Sequence, residues 1–263
     1  DNHGPFQFPD TASARYGVGA VNQKLALRKV AIIGLGGTGS YVLDLVAKTP
    51  VTEIHLYDDD QFLNHNVFRA PGAPERACLE DFPSKVDYLA GVYTRMHRGI
   101  VAHPERITAG NVNALEGFDF VFVCVDSGTA RRAIAEGLHR LAIPFIDTGI
   151  GLGLEVETLD GCARVTLIPP GADWTLVERL LPFGDNDGAE DDPYDKGIQI
   201  ADLNALNATL AVLRWKRWTG WKPSAAPPPS PKNWPRPASA SPSDPPPTPC
   251  SPASGPPRIP PVN

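Results

Sequence analysis

Apolar and polar positions over the first 150 residues alternate between short apolar runs and helix-spaced stripes. Residues 30–33 form an apolar run that enters a glycine-rich turn, and residues 38–48 then carry Val42, Leu45 and Val46 at helical spacing. A second strand is expected at 53–57, ending in Asp58, Asp59 and Asp60. Ser84 stands as a helix N-cap, opening a helix to about residue 98 with Val86, Leu89, Ala90 and Tyr93 on one face. Residues 118–125 read as a strand, 127–141 as a helix and 144–147 as a further strand, with a shorter strand at 99–103. Strands separated by helices of this length imply βαβ units, hence an α/β fold with a Rossmann-like, doubly wound, mostly parallel sheet.

After Gly149 the pattern changes. Residues 154–159 and 163–169 flank Asp160-Gly161, a hairpin signal that predicts an antiparallel extension of the sheet. The acidic stretch 185–195 reads as an exposed loop, because its Asp185-x-Asp187-Gly188 spacing lacks the remaining ligand positions of a calcium loop. Residues 198–218 form a long amphipathic helix whose stripe holds Ile200, Leu203, Leu206, Leu210 and Leu213. That stripe would pack on the domain's own sheet or serve as a contact face between subunits. From residue 223 onward Pro, Ser and Ala dominate, and too little apolar surface remains to offset the entropy of ordering. The expected organisation is therefore 1–27 as the end of a linker or upstream domain, 28–222 as the folded domain, and 223–263 as a Pro-rich disordered tail.

Composition narrows the function. A chain of 263 residues, 42% hydrophobic, supplies a core for one α/β domain. The net charge of −6 lacks the basic face that nucleic acid or anionic membrane calls for. No apolar run approaches the ~20 residues that span a bilayer, and the start has no signal-peptide pattern. The absence of an initiator Met reads as a fragment or a processed chain. Cys78, Cys124, Cys162 and Cys250 stand far apart with no CxxC pair, which suits a reducing cytoplasm and predicts neither a disulfide framework nor a zinc site. Cys124, inside an apolar run, reads as a buried core thiol.

The candidate chemistry begins at Gly34-Leu-Gly36-Gly37-Thr-Gly39-Ser40. A strand delivering the chain into a glycine turn that opens a helix points bare N–H groups and the helix dipole at a phosphate. The acidic cluster at Asp58–Asp60 follows about 20 residues later, where a carboxylate binds ribose hydroxyls. A nicotinamide-dependent dehydrogenase fits these features equally well. Asn66, Arg69, Lys85 and Asp126 discriminate, because hydride transfer has no triphosphate to clamp. Adenylation builds charge on the α-phosphate and the departing pyrophosphate, which preorganised Arg and Lys stabilise. An Asp at the carboxyl end of a parallel strand faces the ligand crevice and can hold Mg²⁺. Taken singly, Arg69 and Lys85 read as solvated charges, and Asp126 as a cap for the following helix.

GLGGTGS (34–40), YDDDQF–NHNVFR (57–69), Lys85 and CVDS (124–127) resemble the motifs of the ThiF/MoeB/HesA adenylyltransferases, which include the adenylation domains of ubiquitin-activating enzymes. The resemblance spans roughly 15–220 and implies an ATP- and Mg²⁺-dependent enzyme that activates the C-terminal carboxylate of a ubiquitin-like or sulfur-carrier protein. It places Gly37 on the phosphates and Asp58 on the ribose, with Gly34, Gly36, Gly39 and Asp60 also at the nucleotide. Asn66, Arg69 and Lys85 fall on the polyphosphate, Asp126 on the metal and Ser127 beside it. A homodimer is implied. The sequence departs from the family in having no CxxC zinc pairs and no Cys within 171–198, where related enzymes carry a reactive thiol. Arg15 and Arg28 are the candidates for the arginine that reaches into a partner's site. A catalytically silent binding half of a heterodimer is the alternative reading.

Overall fold

The computed structural model describes residues 4–17, 19–155, 158–184 and 199–220. Six strands form one sheet: β1 Lys29–Ile33, β2 Glu53–Tyr57, β3 Ile100–His103, β4 Phe120–Val123, β5 Phe145–Glu155 and β6 Thr158–Ile168. Their spatial order is β3-β2-β1-β4-β5-β6. The first five run parallel and β6 returns antiparallel to β5. The principal helices are α1 Gly37–Val46, α2 Lys85–Tyr93, α3 Gly128–Arg140, α4 Trp174–Leu180 and α5 Ala201–Trp218. The doubly wound α/β fold expected from the sequence is the one observed.

β1 and β4 are apolar at nearly every position because both faces of the central sheet are covered, as in parallel sheets generally. One core holds Val30, Ile32, Phe120, Phe122, Leu43 and Trp215. The other holds Ala31, Ile33, Val121, Val123, Ile134 and Leu138. Successive residues of one strand thus supply opposite layers. Ser84 caps α2 as expected, its Oγ accepting from the N–H of Asp87, and Ser127 caps α3, its Oγ accepting from Ala130.

Three expectations change. The hairpin closes between Glu155 and Thr158, so Asp160 and Gly161 lie inside β6, opposite Gly153 and Leu152. Register along the whole length of two paired strands outweighs a single favourable turn dipeptide. The α5 stripe is also turned: Asn204, Asn207, Ala208, Ala211, Val212 and Trp215 are buried, whereas Leu206, Leu210 and Leu213 are exposed. α5 lies against α1 and the β5–β6 pair, where the close approach selects small residues and Asn over Leu. Finally, α2 stops at Tyr93, where Met96 and His97 both donate to the Tyr93 carbonyl in a closing turn.

The segment before β1 is anchored to the same unit: Gln7 donates to the Met96 carbonyl, Arg98 to Pro5, and Leu25 is buried. The chain divides into units at Pro223, and both the Pro-rich tail and the acidic loop lie outside the described residues. No helix among the described residues is long and apolar enough to cross a membrane.

Candidate functional site

The order of the sheet reverses beside β1, between strands whose carboxyl ends lie level. Ile33 is in register with Tyr57 on one side and Val123 on the other, and Val123 with Asp147. The residues that follow, Gly34, Asp58 and Cys124, therefore emerge side by side, at the topological switch point where open α/β sheets bind ligands. A cavity of about 850 Å³ opens there.

The glycine loop forms its near wall. Gly34 has φ +87°, and a Cβ there would stand 2.7 Å from the Cys124 carbonyl oxygen, so a side chain is excluded on two counts. A Cβ on Gly39 would collide with the Gly34 carbonyl, and one on Gly37 with the Asn204 amide. Only at Gly36 is the space open, with nothing within 4 Å, and this residue lines the cavity. The loop ends at the N-terminus of α1, whose first N–H groups have no partner within the helix.

Asp58 is buried and its carboxylate accepts from the N–H groups of Leu35, at 2.6 Å, and Asp60, at 2.9 Å. It thereby ties the glycine turn to the end of β2. Lys85, the first residue of α2, is also buried; its Nζ lies 2.5 Å from Asp60 and 3.4 Å from Asp58. It is not the solvated charge that its position alone suggests. The Lys85 ammonium holds the Asp60 carboxyl below the ordinary carboxylate range. Arg69 is half-buried, and its Nε is buried without a hydrogen-bond partner among the described residues. A guanidinium so placed is costly unless an anion completes it.

Asp126 stands exposed on the opposite wall, three residues beyond β4. Its Oδ1 accepts from the N–H of Ser127, and Oδ2 accepts no hydrogen bond from any described residue. The helix cap is Ser127, not Asp126. Burial pushes the Cys124 thiol up to about 12, which removes it as a nucleophile near neutrality. Cys124 is also only partly buried, because it faces the cavity.

Of the residues expected from the sequence, Gly34, Gly36, Gly37, Asp58, Asp60, Arg69, Lys85, Asp126 and Ser127 share this one cavity. Gly39 and Asn66 do not line it. Gly39 serves the backbone crossing just described. Asn66 is buried, its Oδ1 accepting from Leu63, so that it shapes the short turn whose end delivers Arg69. Arg28 lies at the far, N-terminal end of β1, with its guanidinium on the Gly117 carbonyl, and Arg15 is exposed.

Sequence reasoning missed Arg106, Arg131 and Arg164, which line the cavity, and Asp147, which is buried behind it and paired with Arg131 and Arg164. Arg131 carried a signal, a charge on the buried stripe with Ile134, Ala135 and Leu138. Asp147 and Arg164 carried none, since only the β5–β6 register brings them together.

The ThiF family profile matches residues 12–164, more than half of the chain, and the chain belongs to that family. Among curated proteins it is 25% identical over 154 residues to ubiquitin-like modifier-activating enzyme 5 of Culex quinquefasciatus, a match covering 53% of this chain and 38% of that one. It is 26% identical over 134 residues to the adenylyltransferase and sulfurtransferase UBA4 of Saccharomyces cerevisiae, covering 50% of this chain and 30% of the relative. The matched part is thus less than two-fifths of those relatives' length. In fold it is similar to E. coli MccB in complex with ATP, with a TM-score of 0.56 at 19% identity, covering 76% of this chain and 58% of the other. PaaA is similar with a TM-score of 0.60 at 17% identity, covering 81% and 66%.

Proposed function

We propose that this chain uses ATP and Mg²⁺ to adenylate the C-terminal carboxylate of a ubiquitin-like or sulfur-carrier protein. The observation that carries the reading is the convergence of Arg69, Lys85 and Asp126 on a cavity walled on one side by a glycine turn and a helix N-terminus. The family and the relatives' adenylyltransferase and modifier-activating names support it.

The residues fit a nucleotide. Gly36 leaves open space where a side chain would block close approach, and Arg69 Nε is a buried donor awaiting an acceptor. In this reading the N–H groups at the start of α1 hold phosphate oxygens and Asp58 and Asp60 meet the nucleoside. Arg69 and Lys85 stabilise the charge that grows on the α-phosphate and the departing pyrophosphate. Asn66 acts indirectly, by setting the position of Arg69. Asp126 would hold Mg²⁺, with Ser127 at its side; bound there, the ion would offset repulsion between polyphosphate and incoming carboxylate. The carboxylate oxygen attacks the α-phosphorus, the bond to the bridging oxygen breaks, and acyl-adenylate and pyrophosphate result.

The chain acts as a homodimer in this reading, with the exposed Leu206, Leu210 and Leu213 of α5 as an apolar contact face, and it works in the cytoplasm. The functional domain is 28–222, with no zinc, nucleic-acid or membrane requirement.

Pyrophosphate exchange is the test. Purified protein with ATP, Mg²⁺ and a Gly-Gly-ended ubiquitin-like protein should return labelled pyrophosphate to ATP, and Arg69→Ala and Asp126→Asn should abolish the exchange. ATP binding without exchange on any such partner would favour a silent binding half. Stabilisation by NAD(H) but not by ATP·Mg²⁺ in a thermal-shift comparison would favour an oxidoreductase.

A further inference from the structure

Asp147, Gly149 and Gly151 alternate along one face of β5, opposite Thr166, Arg164 and Cys162 of β6. Asp147 is fully buried and lies between two guanidiniums. Arg131 spends all its nitrogens on structure: Nε on Asp147 at 2.9 Å, Nη1 on the Pro182 carbonyl at 3.1 Å, Nη2 on the Val125 carbonyl at 2.6 Å. Arg164 spends only one. Its Nη1 donates to Asp147 and also lies 3.4 Å from Thr166 Oγ1, whereas Nε and Nη2 donate to no described residue.

The Arg164 guanidinium lines the cavity, on the β5–β6 wall across from the aspartate cluster. Gly149 puts it there: a Cβ on that residue would stand 2.7 Å from Nη2. The missing side chain lets the guanidinium lie down along β5 and reach Asp147, rather than swing out to solvent. Among the other cations of the cavity, Lys85 is paired with Asp58 and Asp60, and Arg106 with Asp59. Arg69, whose Nε has no partner among the described residues, is the guanidinium assigned above to the polyphosphate. An anion entering past the β5–β6 wall therefore finds in Arg164 a braced guanidinium with two donors to spare, the arrangement that suits a carboxylate.

We propose that Arg164, positioned by Asp147 and Gly149, binds the free C-terminal carboxylate of the acyl substrate and holds it for attack. This rests on the adenylation reading for the meaning of the site, but the binding itself can be measured without turnover. The probe is a hexapeptide ending in Gly-Gly, as the free acid and as the C-terminal amide, titrated by calorimetry and ligand-observed NMR. The full chain is used, with α,β-methylene-ATP and Mg²⁺ present. Wild type should favour the acid by about tenfold, the discrimination a charge-assisted hydrogen-bond pair supplies. Arg164→Gln should abolish the preference, Arg164→Lys should keep part of it, and Gly149→Ala should lose it with the charge retained. Nucleotide affinity should not change in any of the three. Absence of an acid preference in wild type, or its survival in Arg164→Gln, overturns the proposal. Failure of wild type to bind the nucleotide would instead overturn the ATP site, and an acid preference in that case would still support carboxylate binding at Arg164.

Discussion

Thr38 donates a hydrogen bond from Oγ1 to Oδ1 of Asn204, 2.9 Å away, across 166 positions of chain. Both residues are buried, and the Asn204 Nδ2 donates in turn to the Ile200 carbonyl. The first turn of the glycine-loop helix is thus clamped to the first turn of α5. Whatever the helix N-terminus binds is positioned partly by a helix far along the sequence.

Gly37 and Asn204 should be thermodynamically coupled. Gly37→Ala drives a methyl into the Asn204 amide, which cannot retreat without leaving Thr38 and Ile200 unpaired. We expect a loss of about 1–3 kcal/mol from the broken buried hydrogen bonds. In an Asn204→Ala background the added methyl has room, so the second loss should be smaller than the first. Urea unfolding of the four-member cycle measures the difference.

Two neighbouring glycines should separate folding from binding. Gly39→Ala sets a methyl against the rigid backbone of Gly34 and should unfold the domain or prevent soluble expression. Gly36→Ala faces open cavity and weakens only the N-cap of α1, so the domain should stay folded with a slightly lower melting temperature while ATP affinity falls by at least tenfold. Equal ATP affinity in Gly36→Ala would show that the phosphates do not approach this wall.

Acid should loosen the Lys85 anchor. The folded-state pKa of Asp60 is depressed, chiefly by its hydrogen bond with Lys85, so its stabilisation is present above the unfolded value of about 4 and is lost as pH falls through the folded one. Asp60→Asn should lack this part of the acid limb and be less pH-sensitive below about pH 4. Chemical denaturation at stepped pH reads it directly.

His97 should set the stability near neutrality. It is fully buried, its Nδ1 accepts from the Gly99 N–H, and its Nε2 accordingly donates to the Val51 carbonyl. Burial lowers its pKa, so the folded state disfavours the proton. Stability is full above the unfolded value of about 6.5 and declines as pH falls from there towards the folded pKa. His97→Gln should be less stable at pH 7 yet flatter as pH falls below about 6.5. A mid-range slope as steep as wild type would assign the proton uptake elsewhere.

The leucines of α5 offer a test of association. Leu206→Glu with Leu210→Glu alters two exposed side chains and no core contact, so the melting temperature of the monomer should hold. If the protein dimerises through this face, light scattering should show the wild-type dimer falling to a monomer. A dimer that survives the double substitution removes α5 from the interface.

Sequence alone determined the central sheet and the glycine loop. Continuous apolar runs at β1 and β4 and the strand–glycine–helix signature are local patterns, fixed by burial on both faces and by backbone sterics. They also pointed to Asp58, Lys85 and Asp126, because each follows a recognisable strand end or cap, whereas Arg69 was legible only through the resemblance of NHNVFR to a family motif. Only the tertiary structure decided which residues are spent on scaffolding: Asn66 on a turn, Gly39 on a backbone crossing, Asn204 as a clamp. It also turned the leucine face of α5 outward, since apolar periodicity cannot distinguish a stripe that packs Ala and Asn closely from one that shows Leu to solvent. The Asp147–Arg164 pair is the clearest case. It depends on strand register and on a missing Cβ at Gly149, and neither is a property of any short stretch of chain.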